Sequence, residues 1–232
     1  MPPSCCVCGR LVQDDFGLCV GCWSELPVIS SRGMCSSGFP LPIVEEGENR
    51  GTLEGPFDQV LAACLFDGVA RTLAHQLKFF GRPHTAKIMA PLMAGLISQQ
   101  MKPETVIVPV PLHRLRLWQR NYNQAAELAR AIALRCALPL EAQALLRTRR
   151  TKPQLGLSRQ SRLQNLNSAF AIAPDKTTAF VEKKVILVDD VFTTGATAHA
   201  CAEVLKEAGA AEVRVLVFAI AEKHSWDAQE FV

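Results

Sequence analysis

A thirteen-residue string, residues 185–197 (VILVDDVFTTGAT), combines residue types that suit a sugar phosphate. Its apolar start predicts a buried strand that ends at two carboxylates, Asp189 and Asp190, before a short threonine- and glycine-rich loop. A helix is predicted over residues 196–208, and the N–H groups at a helix start have no intrahelical partner. These N–H groups predict a binding site for a phosphate monoester, together with the loop residues Thr193, Thr194, Thr197 and Gly195. The two carboxylates can then accept hydrogen bonds from the hydroxyls of an attached sugar. The alternative is a solvated strand end followed by an ordinary N-cap turn.

Two Cys-x-x-Cys pairs lie at the other end of the chain. Cys5 and Cys8 form the first pair, and Cys19 and Cys22 form the second after a spacer of ten residues. Two such pairs can present four thiolates to one zinc ion in a closed, structural site, although unligated cysteines are the alternative. A redox role is less favoured, because neither pair is predicted to open a helix after a strand. The spacing leaves Cys6 and Cys35 unassigned.

Basic residues are concentrated between Leu112 and Arg162. This segment holds eleven Lys or Arg and two acids, so its formal charge is +9, whereas the rest of the chain carries −6 and the whole chain +3. Solvated helix faces are one explanation. So uneven a distribution is more typical of a protein with an anionic partner, such as a polyphosphate or a nucleic-acid backbone.

The elements that must position these residues alternate along the chain. Apolar runs predict strands at 60–66, 106–109, 185–188 and 213–218. Helical spacing predicts helices at 70–79, 85–97, 124–136 and 196–208. Buried strands that alternate with helices predict an α/β fold with a parallel sheet covered on both faces. Ligands of such sheets bind at the carboxyl ends of the strands, where Asp189 and Asp190 are placed.

The chain of 232 residues divides by composition. Residues 1–50 are rich in Cys, Gly, Pro and Ser and predict a small Cys-rich zinc-binding domain with a linker. Residues 51–232 predict the α/β domain. About half of the residues are apolar and a fifth are charged, which excludes a disordered or fibrous chain. The sequence shows no signal-peptide pattern and no apolar run of bilayer length, so a cytoplasmic location is expected.

The string at 185–197 resembles the phosphoribosyl-pyrophosphate (PRPP) binding motif of type I phosphoribosyltransferases. The resemblance implies that Asp189 and Asp190 hold the ribose hydroxyls and form the catalytic pair if transfer occurs. The residues that it implies for the 5-phosphate are Thr193, Thr194, Gly195, Ala196 and Thr197. It also implies Mg²⁺, bridging the pyrophosphate and the ribose hydroxyls mostly through ligand oxygens and water.

Three further stretches are similar to the competence protein F (ComF) family, which includes ComFC- and GntX-like proteins. They are residues 108–114 (VPVPLHR), residues 120–124 (RNYNQ), and residues 147–149 together with Gln154, Leu157, Arg162, Asn165 and Phe170. The resemblance implies an N-terminal zinc finger before a phosphoribosyltransferase-type domain, single-stranded DNA as a ligand in DNA uptake, and a DNA translocase of the competence machinery as partner. The chain departs from the family at Asn121, where Gly is common, and at 34–38, where only Cys35 remains of a frequent CxxCG. A second metal site is therefore not expected.

The same resemblance gives roles to the basic segment. Arg114 is expected to bind the pyrophosphate of PRPP, because guanidinium groups match phosphate oxygens in pairs. The residues expected to bind pyrophosphate, DNA or another polyanion are Arg116, Arg120, Arg149, Arg150, Lys152 and Arg162. Lys78 is a weaker candidate. Trp118 and Tyr122 have side chains that can stack on bases, although packing is the better interpretation of Tyr122.

Two functions stay open on the sequence. One is a PRPP-binding protein that handles incoming single-stranded DNA in natural transformation. The other is an active phosphoribosyltransferase that transfers ribose 5-phosphate to an unidentified base or amine in nucleotide metabolism. The sequence supplies residues to bind pyrophosphate and ribose, but no signature that names an acceptor, and no glutaminase domain. The oligomeric state is also left open.

Overall fold

The protein is built around a parallel sheet whose central strands carry the acidic pair. The structure is a computed structural model that describes residues 2–13, 17–29, 55–79, 85–97, 103–112, 117, 122–148 and 169–221. The strands are β1 (Gln59–Leu65), β2 (Thr105–Pro109), β3 (Leu145–Arg147), β4 (Phe170–Ile172), β5 (Lys184–Phe192) and β6 (Glu212–Ile220). The helices are α1 (Val20–Ser24), α2 (Gly68–Phe79), α3 (Ala86–Ile97), α4 (Gln124–Cys136) and α5 (Ala196–Glu207).

Four of these strands form one sheet in the order β1-β6-β5-β2, and every neighbouring pair is parallel. The strands β3 and β4 form a separate antiparallel pair. Because β2, β5 and β6 are apolar on both faces, they must be covered by helices on both sides. The α/β fold class predicted from the alternating apolar runs is confirmed.

Among the described elements, three helices cover one face of the sheet, whereas one helix and a strand pair cover the other. One face packs Ile186, Val188 and Phe218 against α2, α3 and α4. The other packs Val185 and Leu187 against α5 and the β3–β4 pair. Successive side chains of a strand point to opposite faces, so each neighbouring pair of residues in β5 divides between these two cores.

The strand β5 extends further than the sequence predicts. Its apolar run ends at Val188, and the expectation was that the strand ends there, but β5 continues to Phe192. The reason is pairing with β6, in which Asp189 lies opposite Val217 and Phe192 opposite Ile220. Both aspartates are thus part of a paired strand rather than of the loop that follows it.

The cysteine-rich N-terminal segment packs directly on the sheet and on α2. Val28 makes an antiparallel bridge with Cys64 of β1, and the Leu65 N–H donates to the Pro27 carbonyl at 2.9 Å. Leu18 and Leu26 are buried in the same apolar cluster as Leu73. The N-terminal module therefore shares the core of the α/β unit. The predicted boundary near residue 50 lies outside the described residues and stays a prediction.

Among the described helices, none has both the length and the apolar character that a membrane crossing requires.

Candidate functional site

The two adjacent carboxylates of β5 lie in different surroundings. The side chain of Asp190 shares the face of Val188, on the α2 side of the sheet, whereas that of Asp189 shares the face of Leu187, on the α5 side. Each carboxylate also accepts a backbone hydrogen bond from the next residue. Asp189 Oδ1 accepts from the Asp190 N–H at 2.8 Å, and Asp190 Oδ1 accepts from the Val191 N–H at 3.0 Å. These short local bonds fix both carboxylates near the carboxyl end of the strand.

Asp190 is paired with a lysine from a distant element. Its Oδ2 lies 3.1 Å from Nζ of Lys78, which is in the last turn of α2. The Asp190 side chain is 4% exposed and the Lys78 side chain 21%. An adjacent cation stabilises a carboxylate so deeply buried, so Lys78 belongs to the surroundings of the acidic pair.

Asp189 has a strongly altered acidity. Burial, followed by the charge of Asp190, raises the pKa of Asp189 to about 8, while the Lys78 ammonium acts in the opposite direction. With this pKa the Asp189 carboxyl is mostly protonated at neutral pH. The pair is therefore suited to a ligand that brings positive charge or hydroxyl donors, and a magnesium complex of a sugar phosphate supplies both.

The turn between β5 and α5 is shaped by Gly195. Its φ is +73°, in the left-handed region, and an added Cβ would lie 2.6 Å from the ring of Phe192. Glycine adopts this conformation without strain, and a side chain here would have to displace the Phe192 ring. The Phe192 ring is held in turn by an edge-to-face contact with Phe57 at 6.1 Å between centroids.

The start of α5 has free hydrogen-bonding capacity. No side chain caps the helix at Gly195, although the Thr194 hydroxyl accepts a bond from the Ala196 N–H at 3.3 Å. Thr193, Thr194 and Thr197 are partly exposed beside it. Twelve residues of helix add a positive dipole end to these donors, and the arrangement can hold a phosphate group.

The amino end of α4 is tied to the chain that leaves β2. Asn123 caps the helix by accepting from the Ala125 N–H at 3.0 Å, and its Nδ2 donates to the Val110 carbonyl at 3.0 Å. The neighbouring Gln124 is buried, and its Oε1 has no hydrogen-bond partner among the described residues. The Tyr122 hydroxyl donates to the Leu77 carbonyl of α2, and its ring packs on the core, which confirms the packing interpretation of this residue.

The four predicted metal ligands lie together. The Sγ atoms of Cys5, Cys8, Cys19 and Cys22 are all within 4.8 Å of one another, and those of Cys8 and Cys19 are 3.5 Å apart. Zinc–sulfur bonds of about 2.3 Å in a tetrahedron require sulfur atoms about 3.8 Å apart, so the group fits a zinc ion. Cys6 is buried in the core and does not belong to this group.

The second pair lies at the start of a short helix. Cys19 is the N-cap of the five-residue helix α1, and the described residues directly before it, 17–19, are not a strand. The Cys22 N–H points at Cys19 Sγ at 3.5 Å, and this bond lowers the pKa of the Cys19 thiol, whereas burial raises that of Cys22. In the first pair, Gly9 has a φ of +75° and its N–H donates to the Cys5 carbonyl at 2.9 Å, which closes the turn.

The structure brings together the acidic pair and the β5–α5 turn, and separately the four cysteines. The basic residues predicted to contact polyanions lie outside the described residues: Arg114, Arg116, Arg120, Arg149, Arg150, Lys152 and Arg162. So do Trp118 and Cys35. Lys78, the weaker candidate of the sequence, pairs with Asp190, and a lysine at a helix end carries no local sign of such a partner.

Two family models match the chain. A model described as phosphoribosyl transferase domain matches residues 123–231, and one described as double zinc ribbon domain matches residues 1–49. The four-thiol group and the second match together support a structural zinc site. Between residues 23 and 49 the sequence has a single cysteine and no histidine, which is too few for the four ligands of a second ribbon.

Several proteins are similar over most of the chain. Competence protein F of Haemophilus influenzae is 30% identical over 212 residues, which cover 89% of this chain and 92% of that protein. The DNA utilization protein YhgH of Escherichia coli K12 is 29% identical over 216 residues, covering 91% and 87%. A solved purine phosphoribosyltransferase from Pyrococcus horikoshii is 20% identical, with a TM-score of 0.34, and covers 59% of this chain and 74% of that chain.

Proposed function

The chain belongs to the competence protein F (ComF) family, and from this premise we propose that it binds PRPP and handles single-stranded DNA in natural transformation. The observation that carries the PRPP assignment is the β5–α5 turn. There two adjacent carboxylates, of which Asp189 has a raised pKa, adjoin an uncapped helix start shaped by Gly195. The match to a phosphoribosyl transferase domain over residues 123–231 agrees with this ligand.

In the proposed complex the residues divide the ligand between them. The helix start and the hydroxyls of Thr193, Thr194 and Thr197 hold the 5-phosphate. Asp189 and Asp190 accept hydrogen bonds from the ribose hydroxyls, and Arg114 contacts the pyrophosphate. Magnesium, when bound with the ligand, neutralises the pyrophosphate as it becomes a leaving group. Because Mg²⁺ commonly keeps several waters and binds through phosphate oxygens, we expect it to arrive with PRPP.

Titration of PRPP with Mg²⁺ in a calorimeter is expected to give a single site whose affinity rises between pH 7 and pH 9. Asp189 has a pKa of about 8, so it is protonated below that pH and becomes a full acceptor above it. Phosphate monoesters have a second pKa near 6 and are about nine-tenths doubly ionised by pH 7, so the 5-phosphate contributes little to the change in this window. Asp189→Asn is expected to weaken binding at least tenfold and to remove the pH dependence.

Asp175 provides the matched control for this titration. It is an exposed aspartate of the short turn at Pro174–Lys176, and Asp175→Asn is expected to bind PRPP as the wild type does. No binding by the wild type, or equal binding by Asp189→Asn, would remove PRPP from the proposal.

The DNA part of the proposal rests on the basic segment 112–162 and on the names of the relatives, which refer to competence and to DNA utilization. A single-stranded oligonucleotide is expected to bind with an affinity that falls steeply with salt, by about 0.7 logarithmic units per tenfold salt for each phosphate neutralised. The variant Arg149→Glu/Arg150→Glu is expected to reduce this slope in an anisotropy titration.

Lys87 and Lys183 are exposed basic residues outside the segment, and reversing their charges is the matched control. Binding that is absent, that ignores salt, or that falls equally in both double variants would contradict a specific role of the segment. A DNA translocase as partner and a cytoplasmic location stay predictions of the family resemblance.

An active phosphoribosyltransferase is the second candidate, favoured by the same domain match. Release of pyrophosphate from PRPP in the presence of a panel of bases and amines distinguishes transfer from binding alone. Release that depends on one acceptor and disappears in Asp189→Asn would establish transfer.

A further inference from the structure

Three consecutive residues in the last turn of α2 contact three different parts of the protein. Gln76 Nε2 donates a hydrogen bond to the carbonyl of Cys6 in the zinc module. The Leu77 carbonyl accepts from the hydroxyl of Tyr122, which directly precedes the cap of α4. Lys78 Nζ pairs with Asp190 of β5. The helix end is thus fixed on each side before it reaches the acidic pair.

Packing holds this turn as firmly as its polar contacts do. Leu73 and Leu77 are fully buried in the cluster that also contains Cys5 and Cys22 of the zinc module. A fully buried leucine allows little displacement of its helix, because protein cores are close-packed. The ammonium of Lys78 therefore reaches Asp190 from a rigid support and not from a loop.

The ion pair leaves Lys78 with unused donors. An ammonium group has three N–H donors, and the ion pair with Asp190 Oδ2 at 3.1 Å engages at most one of them. The Lys78 side chain is 21% exposed, whereas that of its partner is only 4% exposed. This asymmetry suits a cation that holds a carboxylate in place and still faces an entering anionic ligand.

We propose that Lys78 is a positioning residue of the PRPP site, which holds the Asp190 carboxylate in place and directed toward the ribose hydroxyls. The inference rests on the proposed binding of PRPP and adds to it a residue from outside the 185–197 string. It also predicts that the acidic pair depends on α2, because the cation that balances it comes from that helix.

Lys78 also affects the second carboxylate of the pair. The charged or titratable groups around Asp189 are Asp190 on its own strand, Lys78 of α2 and Cys201 of α5, and Arg147 of β3 acts on that thiol. Among these, Lys78 is the cation that lowers the pKa of Asp189. Removing its charge is expected to shift the pH at which PRPP binding strengthens upward, and a loss of packing alone would not move that midpoint.

The test is calorimetric titration of Mg²⁺ and PRPP into the zinc-loaded full-length protein across pH 6.5–9. Lys78→Met is expected to weaken binding at least tenfold and to raise the pH midpoint. Lys78→Arg keeps the charge. It is expected to bind PRPP within about threefold of the wild-type affinity and with the wild-type pH midpoint. Lys183→Met, at the amino end of β5, removes an exposed lysine and is the matched control, with no expected change.

The outcomes distinguish a failure of the proposed function from a failure of the role given to Lys78. If the wild type does not bind PRPP, the proposed function fails and this inference fails with it. If the wild type binds and Lys78→Met binds equally with an unchanged midpoint, the function stands and the role of Lys78 is overturned. If Lys78→Met does not fold, Lys78→Gln, whose amide still donates to Asp190, replaces it and is expected to show the same loss and the same upward shift.

Discussion

Lys78→Met is expected to lower the free energy of unfolding by about 4 kcal/mol, and Asp190→Asn by only about 1–2 kcal/mol. The two variants break the same ion pair, but the partner that each leaves behind differs in its access to water. Asp190 is 4% exposed, so without Lys78 its carboxyl group stays buried and loses its ion-pair partner. The Lys78 side chain is 21% exposed, and its long flexible stem lets the ammonium turn into solvent when position 190 is an amide. Urea unfolding monitored by circular dichroism measures both values.

The double variant Lys78→Met/Asp190→Asn separates pairing from packing. It contains neither charge, so it is expected to be about as stable as Asp190→Asn and clearly more stable than Lys78→Met. The pair of Lys176 and Glu141, whose side chains are 36% and 29% exposed, is the matched control. Lys176→Met is expected to change stability far less than Lys78→Met. Additive effects in the double variant would show that Asp190 does not carry a buried charge.

The position of the β5–α5 turn could be predicted because its information is local. The apolar run before Asp189, the threonines and Gly195 stand within thirteen residues, and the fold places them at a strand end and a helix start as expected. The limit of the strand could not be predicted in this way. Whether β5 continues past its carboxylates depends on β6, which pairs with it beyond Asp189 and is not adjacent in the sequence.

The partner of the acidic pair illustrates the same limit. Lys78 and Asp190 are far apart in the chain, and neither residue shows by its neighbours that they meet. Their contact depends on α2 lying on one particular face of the sheet, which follows from the packing of Leu73 and Leu77 with the N-terminal module. A sequence pattern indicates that a helix is amphipathic, but not which strand its polar end reaches.

The sequence predicts which cysteines lie together, but not how the segment that carries them packs on the rest of the protein. Their spacing predicts the four-thiol group, which the structure contains. It does not predict that the module contributes to the core beneath α2, or that its Cys6 carbonyl accepts from Gln76. A module expected as an appendage thus supports the helix that carries Lys78. Loss of zinc should therefore affect the PRPP site as well as the module itself.

Cys8→Ser is expected to remove bound zinc and to lower the melting temperature by about 10 °C. Cys8 is exposed, so its substitution removes little packing and its effect reports the metal. Cys5 and Cys22, by contrast, are buried in the same cluster as Leu73 and Leu77. Without the metal their loops are no longer held, and the apolar side chains of this cluster become exposed to water. Elemental analysis of the purified wild type is expected to give one zinc per chain, since residues 23–49 offer one cysteine and no histidine. Thermal unfolding with and without a strong chelator measures the decrease in melting temperature.

Cys136→Ser is the matched control for this substitution, because Cys136 is a partly exposed thiol at the end of α4 that lies outside the four-thiol group. It is expected to keep both the zinc and the wild-type melting temperature.

Cys8→Ser is also expected to weaken PRPP binding, because the turn of Gln76 and Lys78 loses the module on which it rests. Less than half an equivalent of zinc in the wild type, or two equivalents, would contradict the single site. A zinc-free protein that melts and binds PRPP as the zinc-loaded protein does would show that the module is independent of the sheet, contrary to the shared core.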